Sequence, residues 1–142
     1  MKTKSGFLVF ALIVALLQGC AETNPLQATI PTGPLMLEPA VGLYGSFKLI
    51  TSSPTQLFVL TNPATNSGVA IVTSVATNSD QFLLEASDST CPTVGTLPAG
   101  LSCKIAVRFT PNTEGRQTAT LTVTDNATNS PQTASLVGIG MK

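Results

Sequence analysis

The sequence predicts an all-β fold, an antiparallel sandwich of six or seven short strands. Three observations carry that prediction. From about Val41 onward, several segments alternate apolar and polar residues with a period of two. Clusters of Asn, Ser, Thr, Gly and Pro separate those segments. No stretch after Leu17 shows apolar residues at helical spacing. A length of 142 residues suits one domain.

The chain opens with a short basic head, MKTKS, followed by the 12-residue apolar run GFLVFALIVALL, Gly6 to Leu17. A spanning helix needs roughly 20 such residues. The run therefore has the size of a signal-peptide core, and the basic head fits a signal n-region. It ends in Leu17-Gln18-Gly19-Cys20, which resembles the lipobox of bacterial lipoproteins. That resemblance implies a diacylglyceryl thioether on Cys20, cleavage between Gly19 and Cys20, and acylation of the new amino terminus. An ordinary cleaved signal with a chance cysteine, or an uncleaved anchor, are the other readings. Ala21 in place of Asp after the cysteine implies the outer membrane in a host with two membranes. Several buried acyl chains, at about 0.8 kcal/mol per CH₂, would make the attachment effectively permanent.

Residues 20–40 read as a lipidated Pro/Thr-rich tether. Pro25, Pro31, Pro34 and Pro39 interrupt any helix or central strand. Extended in polyproline form, at about 3.1 Å per residue, Ala21 to Pro39 would reach roughly 60 Å. The segment LMLEP, Leu35 to Pro39, is the piece best suited to pack on the domain as a first strand. Residues 41–142 are the expected sandwich.

Within that span QLFVLTN, GVAIVTSV and QFLLEAS read as strands, each bounded by turn formers. CKIAVRFT alternates cleanly: Cys103, Ile105, Val107 and Phe109 fall on one face, and Lys104, Ala106, Arg108 and Thr110 on the other. TATLTVT puts Ala119, Leu121 and Val123 inward and four threonines outward. TPNTEG between them is turn chemistry, so the two strands read as a hairpin. DNATNSPQ is the next turn and TASLVGIG the last strand. Cys91 and Cys103 bracket CPTVGTLPAGLSC, and the turn at Pro98 to Gly100 lets the ends meet. An exported setting permits a disulfide between them, worth roughly 3 kcal/mol for a loop of that size. Two cysteines staple the domain, and the third carries lipid.

The span from Cys91 to Gly140 resembles the ASH-type (abnormal-spindle/hydin-like) domains, often found in bacterial exported proteins as choice-of-anchor repeats. The matching positions are Cys91, Leu97-Pro98-Ala99-Gly100, Cys103, Val107-Phe109-Pro111 and Gly115. They continue through Ala119-Leu121-Val123-Asp125-Asn126 to Leu136-Gly138-Gly140. LYGSF (Leu43 to Phe47) and LFVLTN (Leu57 to Asn62) resemble the family's opening strands. Ile50 stands where the family usually has Gly, Pro63-Ala64 follow Asn62 in place of Thr-Gly or Ser-Gly, and one residue is inserted before Gly100. The resemblance implies an immunoglobulin-like antiparallel β-sandwich of about seven strands that binds or spaces. It implies no catalysis and transfers no ligand-contacting residues.

Composition narrows function further. The chain has no His, which removes Ser-His-Asp and Cys-His chemistry. With one free cysteine pair and no His, no metal site and no cofactor are expected. Glu85 and Asp88 read as solvated loop charges. Beyond Cys20 five basic residues stand against seven acidic ones, with no basic patch, so no nucleic-acid partner is expected. Arg108 and Arg116 flank the predicted hairpin and read as residues that keep a sheet face wet, a small anion-contact surface formed by the two being the other reading. Asn126-Ala127-Thr128 is a chance sequon. The expected protein is a non-catalytic lipoprotein of the cell envelope, bound to the membrane through its amino terminus and contacting an envelope protein or glycan. The second reading is an accessory or chaperone-like subunit of a surface assembly, which completes a partner's sheet.

Overall fold

The computed structural model describes residues 33–142. The expectations placed on Gly19, Cys20 and the leader lie outside the described residues. Nine strands are present: β1 (Met36–Glu38), β2 (Val41–Lys48), β3 (Gln56–Thr61), β4 (Ala70–Thr77), β5 (Phe82–Leu84), β6 (Gly95–Leu97), β7 (Ser102–Phe109), β8 (Gly115–Asp125) and β9 (Gln132–Met141). They form a four-stranded sheet in the order β1-β3-β7-β5 and a five-stranded sheet in the order β2-β9-β8-β4-β6. The fold is an all-β sandwich of the immunoglobulin-like kind, with two very short strands, β1 and β6, added to the expected set.

The alternation seen in the sequence decides which side chains fill the space between the sheets. Cys103, Ile105, Val107 and Phe109 of β7 are buried, as are Ala119, Leu121 and Val123 of β8 and Ala134 and Leu136 of β9. Phe58, Phe82 and Phe109 are fully enclosed. The Phe82 and Phe109 rings stack with centroids 4.7 Å apart, and Tyr44 meets Phe82 edge-on at 5.4 Å. The Tyr44 hydroxyl donates to the Val107 carbonyl at 3.1 Å, and burial raises its pKa above the usual phenol range. Gly138 lies under the Phe109 ring, where a Cβ would come within 2.6 Å of Cδ1. Only glycine allows that stacking.

Four features differ from the expectations. First, Met36–Glu38 pairs antiparallel with β3 and Leu35 is buried in the core, so the packed domain begins near residue 34 and not at 41. LMLEP packs because its apolar residues reach the open side of β3. Second, β2 runs parallel to β9. Only Pro39 and Ala40 separate β1 from β2, so the chain changes sheets without reversing direction. Third, β7 and β8 are not a hairpin. They belong to different sheets, and TPNTEG is an arch across the sandwich. The Thr110 N–H is held by the Gln81 carbonyl and the Asn112 N–H by Gln81 Oε1. Two strands facing one core show the same alternation whether they are neighbours or lie opposite each other. The real hairpin is β8–β9, paired from Gly115↔Gly140 to Val123↔Gln132. Fourth, the cysteine-bracketed loop contains β6, which pairs with the start of β4.

Candidate functional site

The chain enters the domain through an asparagine clamp. Asn129 accepts from the Leu35 N–H at 3.0 Å and donates to its carbonyl at 2.9 Å. Asn66 Nδ2 donates to the Pro34 carbonyl and to Asn62 Oδ1. Asn62 is fully buried and donates to the carbonyls of Leu97 and Gly68 at 2.9 and 3.3 Å. Four segments thus meet at one end of the sandwich: the entry strand and the β3–β4, β6–β7 and β8–β9 loops. Buried amides with satisfied bonds fix their geometry.

The staple joins the β5–β6 loop to β7. Cys91 and Cys103 are disulfide-bonded with Cα atoms 4.7 Å apart. Both the Thr90 and Cys91 N–H groups donate to the Lys104 carbonyl. Because β6 sits in one sheet and β7 in the other, the bond closes a loop that spans the sandwich. Beside it, Val75, Leu84, Ile105 and Cys91 line a cleft of about 220 Å³ between β4 and β5. Its one serine, Ser89, already donates to the Glu85 carbonyl and accepts from the Ala106 N–H.

The charges sort by face. Arg108 Nη2 is ion-paired with Glu85 Oε1, which corrects the reading of Glu85 as a solvated loop charge. The pairing follows from register, since β5 sets Leu83 opposite Arg108 and Glu85 follows it. Asp88 accepts from the Thr55 hydroxyl at 3.1 Å. Arg108 points out from the four-stranded sheet and Arg116 from the five-stranded one, so the two do not share a surface. Asn126 is committed inside the domain, its Oδ1 accepting from the Ile71 N–H at 2.7 Å. Asp125 caps the Ala127 N–H at 2.7 Å. Burial raises its carboxyl pKa above the ordinary value, and bonds with Ala127, Ser130 and Gln132 oppose that shift. No group of three or more His, Cys, Asp or Glu side chains is placed to hold a metal among the described residues.

The edges of the sheets are guarded. β1, β5 and β6 are three residues each. β2 is longer, but its register slips between Leu43 and Gly45, and Gly45 has a positive φ of 76°. The Leu43 carbonyl is taken by Gln56 Nε2. Short strands, bulges and capped carbonyls all hinder pairing with another chain. The outer face of β2 and β9 is less guarded. Leu43, Ile139 and Met141 are exposed there, and Ile50 lies just beyond β2 at 77% exposure. Ile50 has φ of 63°, a left-handed conformation rare for a β-branched residue. The stretch LVGIGM carried a signal for this surface: Val137, Ile139 and Met141 break the polar half of its alternation.

The family described as "Abnormal spindle-like microcephaly-assoc'd, ASPM-SPD-2-Hydin" has a model that matches residues 36–133. No curated protein matches the chain. Among solved structures, a protein of unknown function from Porphyromonas gingivalis W83 is similar at 12% identity with a TM-score of 0.62. That alignment covers 82% of this chain and 51% of the other, so this chain spans about half its length. The ASH / PapD-like domain 7 of human CEP192 is similar at 12% identity and TM-score 0.56, over 100% of this chain and 99% of that one. A chain of the CsuC–CsuE chaperone–tip adhesion subunit pre-assembly complex, from archaic chaperone-usher Csu pili of Acinetobacter baumannii, matches at 13% identity and TM-score 0.52, over 76% and 52% of the two chains. At these identities the likeness is one of fold.

Proposed function

The chain belongs to the ASH family, and we propose that it is a non-catalytic, lipid-anchored protein of the cell envelope whose sandwich acts as a binding or structural module. One observation carries the module reading. The interior is filled mainly by apolar side chains, with the hydrogen-bonded amides of Asn62 and Asn66, and no group of His, Cys, Asp or Glu side chains is placed to hold a metal among the described residues. What is left to do chemical work is surface. The anchor rests on the apolar leader and on Leu17-Gln18-Gly19-Cys20. Its expected place is the outer membrane in a host that has one, and its expected contact an envelope protein or glycan.

Globomycin should leave a precursor larger by the leader, and Cys20→Ser should move the protein from the membrane fraction to the soluble one. Retention of the substituted protein wholly with membranes would sink the anchor. The second reading, an accessory or chaperone-like subunit, is favoured by β2, an eight-residue strand paired on one side only. The bulge at Gly45 and the Gln56 cap weigh against it. Replacing Gln56 by Ala frees the Leu43 carbonyl, and a strand-adding protein should then capture its partner more tightly.

A further inference from the structure

We propose that the outer face of β2, β9 and β8 docks on an anionic lipid surface. The apolar part of this face is continuous. Leu43 lies opposite Val137, and Ser46 opposite Ile139. Met141 closes the row, with its carbonyl accepting from the Leu49 N–H at 2.8 Å, so Ile50 stands next to it. Leu43 is 67% exposed. An extended row of exposed apolar side chains suits the acyl boundary of a bilayer.

The charge around the row is mainly positive: Lys48, Arg116 and Lys142 border it, against one acid, Glu114. Lys48 is registered with Met141, and Arg116 with Ile139. Neither makes an ion pair among the described residues, whereas Lys142 shares Glu114 at 3.4 Å. The five strands of this sheet contain a single acid, Asp125, which is turned into the β8–β9 loop. The acids Glu38, Glu85 and Asp88 belong to the other sheet and its loop. Arg116 also borders a shallow depression of about 340 Å³ whose rim includes Thr118, Thr120, Ser135 and Val137. A guanidinium beside three hydroxyls is suited to a lipid phosphate, and the apolar row beside it is suited to the acyl boundary.

The strained Ile50 fits this arrangement. A glycine there would relieve the backbone but remove the most exposed large apolar side chain of the domain. The proposal rests on the lipid-anchored reading only for what brings the domain to a bilayer. Fourteen residues separate Cys20 from Leu35, about 43 Å at 3.1 Å per residue. A ten-residue strand such as β9 spans roughly 33 Å. The chain is therefore long enough for this face to lie flat on the membrane that holds Cys20.

The test uses mature protein carrying Cys20→Ser, which has no lipid of its own, so failure of docking and failure of anchoring are read separately. Binding to vesicles of phosphatidylglycerol should exceed binding to phosphatidylcholine at least ten-fold at low salt and fall as salt rises. Lys48→Glu with Arg116→Glu should cost ten-fold or more, and Leu43→Gln with Ile139→Thr several-fold. Melting temperature checks that each variant folds, and Lys104→Glu on the opposite sheet should leave binding unchanged. Equal binding to both lipids, no binding, or binding indifferent to these four positions overturns the proposal. A concentration-dependent dimer abolished by Leu43→Gln also overturns it, because a second copy would then be the occupant.

Discussion

Ile50 offers a test in which the sign of an effect is diagnostic. Its φ of 63° is held by three backbone bonds: Leu49 N–H to Met141 O, Ile50 N–H to Pro111 O, and Thr51 N–H to Lys48 O, at 2.8 to 3.0 Å. None uses a side chain, so all three survive substitution. Consider Ile50→Gly and Ile50→Ala, which lose the same packing to within one methyl group. Alanine keeps the Cβ that clashes in the left-handed region, at a cost of about 1–2 kcal/mol. Glycine escapes that clash but loses about 0.5–1 kcal/mol through the greater freedom of its unfolded chain. The glycine variant should therefore be more stable by about 0.5–1 kcal/mol. At an ordinary strand or helix position the order is the reverse, by a similar amount. Urea unfolding at equal m-values, or melting curves separated by roughly 2–6 °C, would register the difference. If the alanine variant proves as stable as the glycine variant or more so, Ile50 is not strained and the argument for its retention at the surface collapses.

Removing the staple as Cys91→Ala with Cys103→Ala should lower unfolding free energy by roughly 3 kcal/mol, the entropy of closing a loop of this length; a loss under about 1 kcal/mol would mean the loop is already ordered without it. Asn62→Ala strands the Leu97 and Gly68 carbonyls and the Asn66 amide in a buried place. Denaturant unfolding should show a loss of about 2–4 kcal/mol, and a value near zero would refute the clamp. For Asp125 the folded pKa lies above the unfolded one. Between those values the native state binds more proton than the unfolded chain, so this group's contribution to stability rises as pH falls through that window. Asp125→Asn keeps the acceptor for the Ala127 N–H but lacks the titration. The stability of the wild type relative to this variant should therefore improve from pH 7 toward pH 4, and a gap that is flat or widens on acidification contradicts the assignment.

Much of the core was legible because burial in a sandwich is set by side-chain parity. Cys103, Ile105, Val107 and Phe109 could be placed inward from their spacing alone, and the structure encloses all four. The short strands were not legible. Met36–Glu38 and Gly95–Leu97 are too brief to show a period, and each exists because a neighbouring strand offers it an edge. The buried amides were hidden for another reason. Asn62 and Asn66 occur among turn formers, where asparagine is expected to face water. Their burial arises from loops that converge only after the sheets have packed.

Sheet membership is the deeper limit, and it bears on function. Parity tells which side of a strand meets the core, but not which strand lies beside it. β7 and β8 satisfy the same pattern as neighbours or as opposite walls, and TPNTEG is long enough for either. If they were neighbours, Arg108 and Arg116 would lie on one surface. The arch separates them instead. Arg108 is neutralised on the acid-bearing sheet, and Arg116 is left beside Ile139 on a sheet with one inward-turned acid. The cationic and apolar character of the β2–β9–β8 face therefore follows from where the chain crosses the sandwich. A loop change that turned the arch into a hairpin would erase that face without altering one of its residues.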